Sequence, residues 1–271
     1  MAIKKPKIGL ALGGGSARGF AHIGIIKVLL DNKIPIDYIA GCSMGALVGG
    51  IYASEGDLDV LESLAIVFDA KKYFFDFAIS SSGYVKGNKV QDLIKLMTKN
   101  ISIEHAKIPF SCIATCIEEA KLKRFTTGPI HEAVRASISI PGVFTPYEMD
   151  GKTYIDGGVI DRTAIPAAHE MGADIVIAVD VSYRGEPLGT PKSVVDLLQD
   201  SFTIADWYLA KNAWKDADVL ILPQIADIQG NQYKDIQKII ERGEQAAIDS
   251  VAKIKEVIKM KSSISDSKSL K

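Results

Sequence analysis

The chain has 271 residues, 47% of them apolar and 24% charged, and a net charge of −1. That balance suits one large α/β domain with a substantial core and excludes the strongly basic class that binds nucleic acid. Its three cysteines, Cys42, Cys112 and Cys116, form an odd and sparse set that argues against a disulfide framework.

The start of the chain, Met-Ala-Ile-Lys-Lys-Pro-Lys, is basic, but the apolar run that follows is only Ile8 to Leu12. It is too short for the hydrophobic part of a signal peptide, and no stretch reaches the ~20 apolar residues of a membrane span. A soluble, cytoplasmic protein is expected. Lys7 to Leu12 reads as a buried strand that runs into Gly13-Gly14-Gly15-Ser16-Ala17-Arg18-Gly19. A helix with Ser16 as its cap follows to Leu30, with Phe20, Ile23, Ile26 and Leu30 at helical spacing.

A glycine loop between strand and helix offers backbone N–H groups to an anion. The dinucleotide fingerprint fails because Arg18 stands at the third glycine position, and the P-loop fails because Phe20 follows Gly19. An oxyanion hole needs the same donors without those partners. It is the favoured reading, with nucleotide binding as the rival.

Ile36 to Ala40 is a second short strand, followed by Gly41-Cys42-Ser43-Met44-Gly45 and an apolar helix. Gly-x-Ser-x-Gly at a sharp strand-to-helix turn lifts the serine hydroxyl clear of the sheet edge. Gly41 and Gly45 keep the neighbouring backbone free of Cβ atoms, and the Met44 amide at the helix start faces any developing negative charge. Taken alone, the pentapeptide is equally a tight turn with a capping serine.

A helix is expected over Asp57 to Asp69. The segment Phe68 to Tyr84 then holds six of the twenty aromatic residues, and reads either as a mobile apolar flap or as core packing under a long connection. A helix is expected from Asn88 to Met97, then two strands, Phe110 to Glu118 and Leu122 to Thr127, that form a hairpin or sheet edge. Cys112 and Cys116 share a face of the first and read as buried thiols, since no histidine or second cysteine pair has metal-ligand spacing.

Pro129 to Ser139 is a short helix, followed by a proline-stiffened loop over residues 140–146. Tyr154-Ile155-Asp156-Gly157-Gly158 ends a strand at a carboxylate in a turn that other backbone can approach. In isolation, a simple β-turn is the better reading of Asp-Gly-Gly. The helix Ala164 to Met171 ends at Gly172, and Asp174 to Val181 is a further buried strand. Thr190 to Lys215 is helical, with Trp207 and Trp214 on one face, read as packing in preference to an interfacial anchor. A last strand, Val219 to Leu222, and a helix from Tyr233 to about Met260 close a single domain over residues 1–261. Residues 262–271 are expected to form a disordered tail. Alternating strands and helices of this kind predict a largely parallel central sheet with helices on both faces.

The glycine loop, the Ser43 pentapeptide and Asp156-Gly157-Gly158, in that order, resemble the patatin-like phospholipase family, specifically its small single-domain bacterial-type members. The resemblance runs from about Lys7 to Ala247 and includes Arg135-Ala136-Ser137-Ile138-Ser139-Ile140-Pro141 and Gly172-Ala173-Asp174. It implies a three-layer α/β fold and hydrolysis of acyl esters of phospholipids, lysophospholipids or simpler lipids by a Ser–Asp dyad. Ser43 would then be the nucleophile and Asp156 its base. The Gly13 to Gly15 loop, Arg18 and the Met44 amide would form the oxyanion site, and Gly41, Gly45, Gly157 and Gly158 would be its motif glycines. No cofactor or metal is implied, the partner is a lipid or small ester, and transient peripheral membrane contact fits that substrate class.

An aspartate base is demanding, because its ordinary pKa of about 3.9 makes it weak near neutrality, so it must be desolvated or tightly hydrogen-bonded. The chain departs from the family at Asp161, where asparagine is usual, and a second carboxylate there is expected to raise the pKa of Asp156. The main rival is a full triad, since Ser43, Asp156 and His169 also fall in the α/β-hydrolase order. Against it, His169 lies within a predicted helix. A further rival is a non-catalytic lipid- or nucleotide-binding module built on the glycine loop.

Overall fold

The computed structural model describes residues 5–55, 57–67, 85–182, 185–228 and 235–269. The aromatic segment Phe68 to Tyr84, read above as flap or core, lies outside the described residues. An eight-stranded sheet forms the centre. Its strands are β1 Ile8–Leu12, β2 Tyr38–Cys42, β3 Phe110–Cys116, β4 Lys121–Phe125, β5 Tyr147–Met149, β6 Lys152–Asp156, β7 Ile175–Val179 and β8 Val219–Ile221. In space they run β5-β6-β3-β2-β1-β7-β8, with β4 paired to β3. The five strands from β3 to β8 in that row are mutually parallel, whereas β4, β5 and β6 add antiparallel pairs at one side.

The helices are α1 Ala21–Asp31, α2 Met44–Ala53, α3 Leu58–Val67, α4 Asn88–Met97, α5 Ile130–Ser137, α6 Ile165–Glu170, α7 Val194–Ala213 and α8 Ile236–Ser269. Both sheet faces are covered, as expected, because side chains alternate sides along each strand. Ile8, Leu10 and Leu12 of β1 belong to the large core that also contains α1, α2 and α8 residues. Ala11 of the same strand points into a smaller core with Ala40, Ile113 and Ile165, under α6. Truncating one such buried aliphatic to alanine typically costs about 2–5 kcal/mol. Helices α1 and α8 lie in close contact, because a Cβ on Gly243 would fall 2.2 Å from the Ala21 carbonyl.

Local details differ from expectation at two helix ends. Ser16 makes no capping bond; the chain leaves the glycine loop through a 3-10 turn, Ser16–Phe20, and the α-helix begins at Ala21. The last helix does not stop near Met260 and give way to a tail. It continues to Ser269, with the Ser262 hydroxyl donating to the Ile258 carbonyl and Ser263 to Met260, each at 2.8 Å. Serines that return their hydroxyls to the preceding turn remain compatible with a helix. Among the described residues, no helix is long and apolar enough to cross a membrane.

One feature of the sheet positions the site. β3 pairs with β4 through residues 112–116, which occupies one edge of the strand. The other edge is shared: β2 pairs with it up to Cys42↔Ile113, and β6 takes over from Ala114↔Asp156. Because β2 and β6 run in opposite directions there, their C-terminal ends meet across consecutive residues of β3.

Candidate active site

Ser43 stands at that junction, in the turn between β2 and α2. Its φ of 52° and ψ of −121° lie in a region that side-chain-bearing residues rarely occupy, at a cost of order 1–3 kcal/mol. The turn is enforced by packing. A Cβ on Gly45 would sit 2.0 Å from the Leu12 carbonyl, so α2 starts directly against the end of β1 and only glycine fits.

Asp156, the last residue of β6, is 7% exposed. Its carboxylate accepts hydrogen bonds from the Gly158 amide at 2.8 Å and from the Cys42 thiol at 3.8 Å. Burial raises its pKa above the ordinary carboxylate range, while the neighbouring Ser43 hydroxyl, the Gly158 amide and the Arg162 charge pull it back. The same burial, with the Asp156 charge, keeps the Cys42 thiol protonated and therefore a donor.

The glycine loop closes over this pair. A Cβ on Gly14 would lie 3.1 Å from the Ser43 Cβ, so the loop touches the serine directly. Its amides are not equivalent. Gly13 N–H donates to the Val179 carbonyl at 2.9 Å and Gly14 N–H to the Arg162 carbonyl at 3.0 Å. Arg18 N–H donates to Gly15, and the Arg18 guanidinium reaches the carbonyls of Ile228, at 2.6 Å, and Ala226. Arg18 thus ties the exit of the loop to the 225–228 segment. Gly13, Gly14 and Arg18 spend their amides on structure, which leaves the expected set of donors smaller.

Several supporting residues carried no signal of their own in the sequence. His22, on α1, is fully buried beneath the loop with Nε2 at 2.8 Å from the Gly13 carbonyl. Desolvation lowers its pKa to about 4, so the neutral ring donates to that carbonyl. Ser137 accepts from the Ser43 amide and donates to Ile113. Ser139 offers its carbonyl to the Asp156 amide at 2.9 Å, and its hydroxyl accepts from buried Arg135 at 2.6 Å. The Arg135 to Pro141 motif therefore grips both members of the pair. Its presence among the quoted motifs was the only available pointer.

Asp161, the departure from the usual asparagine, is occupied locally. Its Oδ1 accepts from the Thr163 amide at 2.9 Å and hydroxyl at 2.8 Å. The raised pKa of Asp156 arises first from burial, not from this neighbour. Behind Asp156, Arg162 pairs with Asp206 of α7, whose pKa burial pushes up to about 7. The triad candidate His169 lies on α6 with Nε2 at 2.8 Å from the Asp216 carbonyl, engaged away from the serine turn.

The model of the family described as "Patatin-like phospholipase" matches residues 10–169, which include Ser43, Asp156 and the glycine loop. The chain belongs to the patatin-like phospholipase family. Among its relatives, "Uncharacterized NTE family protein Rv1063c" of Mycobacterium tuberculosis is 38% identical over 179 residues, covering 65% of this chain and 49% of the relative. "Lysophospholipase NTE1" of Mycosarcoma maydis is 31% identical over 245 residues, or 88% of this chain and 13% of the relative. The chain thus spans about half the length of the mycobacterial relative and a much smaller part of the fungal one. Among solved structures, VipD from Legionella pneumophila superposes with a TM-score of 0.64 at 13% identity, over 92% of this chain and 67% of that one. That likeness is one of fold. This patatin-like chain carries the family's mostly parallel sheet with helices on both faces.

Proposed function

We propose that the chain is a serine hydrolase that cleaves carboxylic esters of lysophospholipids or related lipids through an acyl-enzyme on Ser43. The observation that carries this reading is the junction of β2 and β6 on β3, which sets Ser43, on its strained turn, beside the buried Asp156. The lipid class rests on family membership and on the lysophospholipase named among the relatives.

In this reading the Ser43 hydroxyl adds to the ester carbonyl as its proton passes to Asp156. The negative charge that forms on the carbonyl oxygen falls to the amides of Gly15 and Met44. Met44 opens α2, where the first N–H groups have no partner within the helix, and Gly15 is the loop glycine whose amide is not spent on Val179 or Arg162. Collapse releases the alcohol, which takes the proton from Asp156. Water then gives a proton to Asp156 and adds to the acyl group, and release of the acid restores Ser43. A carboxylate raised above its ordinary pKa is a better base for both steps. His22, Ser137, Ser139 and Arg135 act through the backbone, and Arg18 supports the loop from outside the oxyanion site.

Hydrolysis of p-nitrophenyl esters of increasing chain length tests the reading. The wild type turns over with a preference for longer chains, Ser43→Ala and Asp156→Asn are inactive, and His169→Ala is active. Negligible turnover by the wild type on every ester, or loss of activity in His169→Ala, sinks the dyad.

A further inference from the structure

Helix α7 is inside out for a packed helix. Val194, Leu197, Leu198, Phe202, Tyr208 and Leu209 are all exposed, by 49% to 73%. Val194, Leu197, Leu198, Phe202 and Leu209 recur at spacings of three, four and seven residues, and Tyr208, eleven residues or three turns after Leu197, falls on the same face. Among its described side chains only Asp206 and Ala210 are buried. Among the described side chains, polar and aromatic contacts help to hold α7 in place. Asp206 pairs with Arg162, Trp207 packs edge-on against Trp214 at 5.3 Å, and Trp214 Nε1 donates to buried Asp180 at 2.7 Å. Helix α7 itself lies beside the site, since it packs against the Gly157–Val159 turn that follows Asp156. Val159 and Ile160, in and just after that turn, are themselves more than a third exposed.

We propose that the outward face of α7 is the surface by which this protein lies on a zwitterionic phospholipid layer. The inference rests on the lipid-ester reading for its substrate but not for its geometry. A second copy of the chain fits the face less well. A 20-residue helix is about 30 Å long and about 10 Å wide, so it offers on the order of 300 Å², against the ~800 Å² per partner of a stable interface. A lipid interface needs only a continuous apolar stripe on a helix lying in its plane. Charge selects the headgroup. Asp196 and Asp200 flank the stripe and Lys211 is the basic residue of the helix, so an anionic layer gains nothing from it.

The test uses the full chain carrying Ser43→Ala, so that no lipid is consumed and a failure of catalysis does not affect the readout. Co-sedimentation is measured with phosphatidylcholine vesicles, with and without phosphatidylserine. Binding to pure phosphatidylcholine is expected, insensitive to salt. Leu198→Ser with Phe202→Ser weakens it about tenfold or more, as does Tyr208→Ser to a lesser degree, because each removes apolar area from the contact. Leu96→Ser, on exposed α4 at 75%, leaves binding unchanged, and circular dichroism verifies that each variant is folded. Binding that survives the α7 substitutions overturns the proposal. So does absence of vesicle binding, or a dimer in gel filtration that the α7 substitutions dissociate.

Discussion

The main-chain N–H of Ser43 donates to the Ser137 hydroxyl at 2.8 Å, and that hydroxyl donates onward to the Ile113 carbonyl at 2.7 Å. One buried side chain on α5 thus bridges the strained Ser43 turn to the strand on which β2 and β6 meet. Ser137→Ala leaves a buried donor and a buried acceptor unpaired, at about 1–3 kcal/mol. The variant is expected to fold with a lowered Tm and to lose about ten- to hundredfold in kcat, with KM little changed. An unchanged kcat would show that the turn holds without this bridge.

With Asp156 as the proposed base, the acid limb of the pH–rate profile is expected to report its ionisation. Its pKa is raised and the base acts when ionised, so kcat/KM rises with pH through a midpoint above the ordinary carboxylate range. The Arg162 charge holds that midpoint down. Arg162→Gln is therefore expected to shift the limb to higher pH, and Asp161→Asn to move it little. A limb that shifts with Asp161→Asn and stays put with Arg162→Gln would assign control of the base to the wrong neighbour.

Two buried groups oppose each other in stability. The pKa of His22 is lowered from 6.5 to about 4, so between those values the unfolded chain binds more protons and stability rises with pH. That of Asp206 is raised from 3.8 to about 7, so the folded chain binds more protons there and stability falls as pH rises. In the wild type the two trends offset one another. Asp206→Asn removes the falling trend, and thermal unfolding from pH 4 to 7 should then show Tm rising with pH more steeply than in the wild type. Parallel curves for the two proteins would exclude Asp206 as a proton-binding site.

Gly45→Ala is expected to abolish soluble, folded protein, because its Cβ would meet the Leu12 carbonyl at 2.0 Å and neither backbone can yield. Gly128→Ala is a contrast. Its φ is +88°, but a Cβ there meets nothing within 4 Å, so the cost is confined to backbone strain of about 1–2 kcal/mol. Thermal unfolding or protease resistance of the pair measures the difference. Similar Tm values would mean that the start of α2 can move away from β1.

Much of this protein was legible in its sequence. Alternating strand and helix periodicities carried the sheet class, and α4 matches its expected bounds because its apolar residues recur on one face between a glycine and a turn. The Ser43 turn was equally legible, since Gly41 and Gly45 are residues that only a close backbone approach requires. Asp156, by contrast, was visible only through resemblance, because Asp-Gly-Gly has no local pattern to separate a base from a β-turn. Tertiary structure alone decided three things. It joined Ser43 to Asp156, through two strands that end against neighbouring residues of β3, a pairing with no trace in local periodicity. It separated the glycine-loop amides into those spent on Val179 and Arg162 and those left over, because hydrogen-bond partners come from distant strands. And it turned the apolar face of α7 outward, since helical spacing defines a face but not which side of it meets the core.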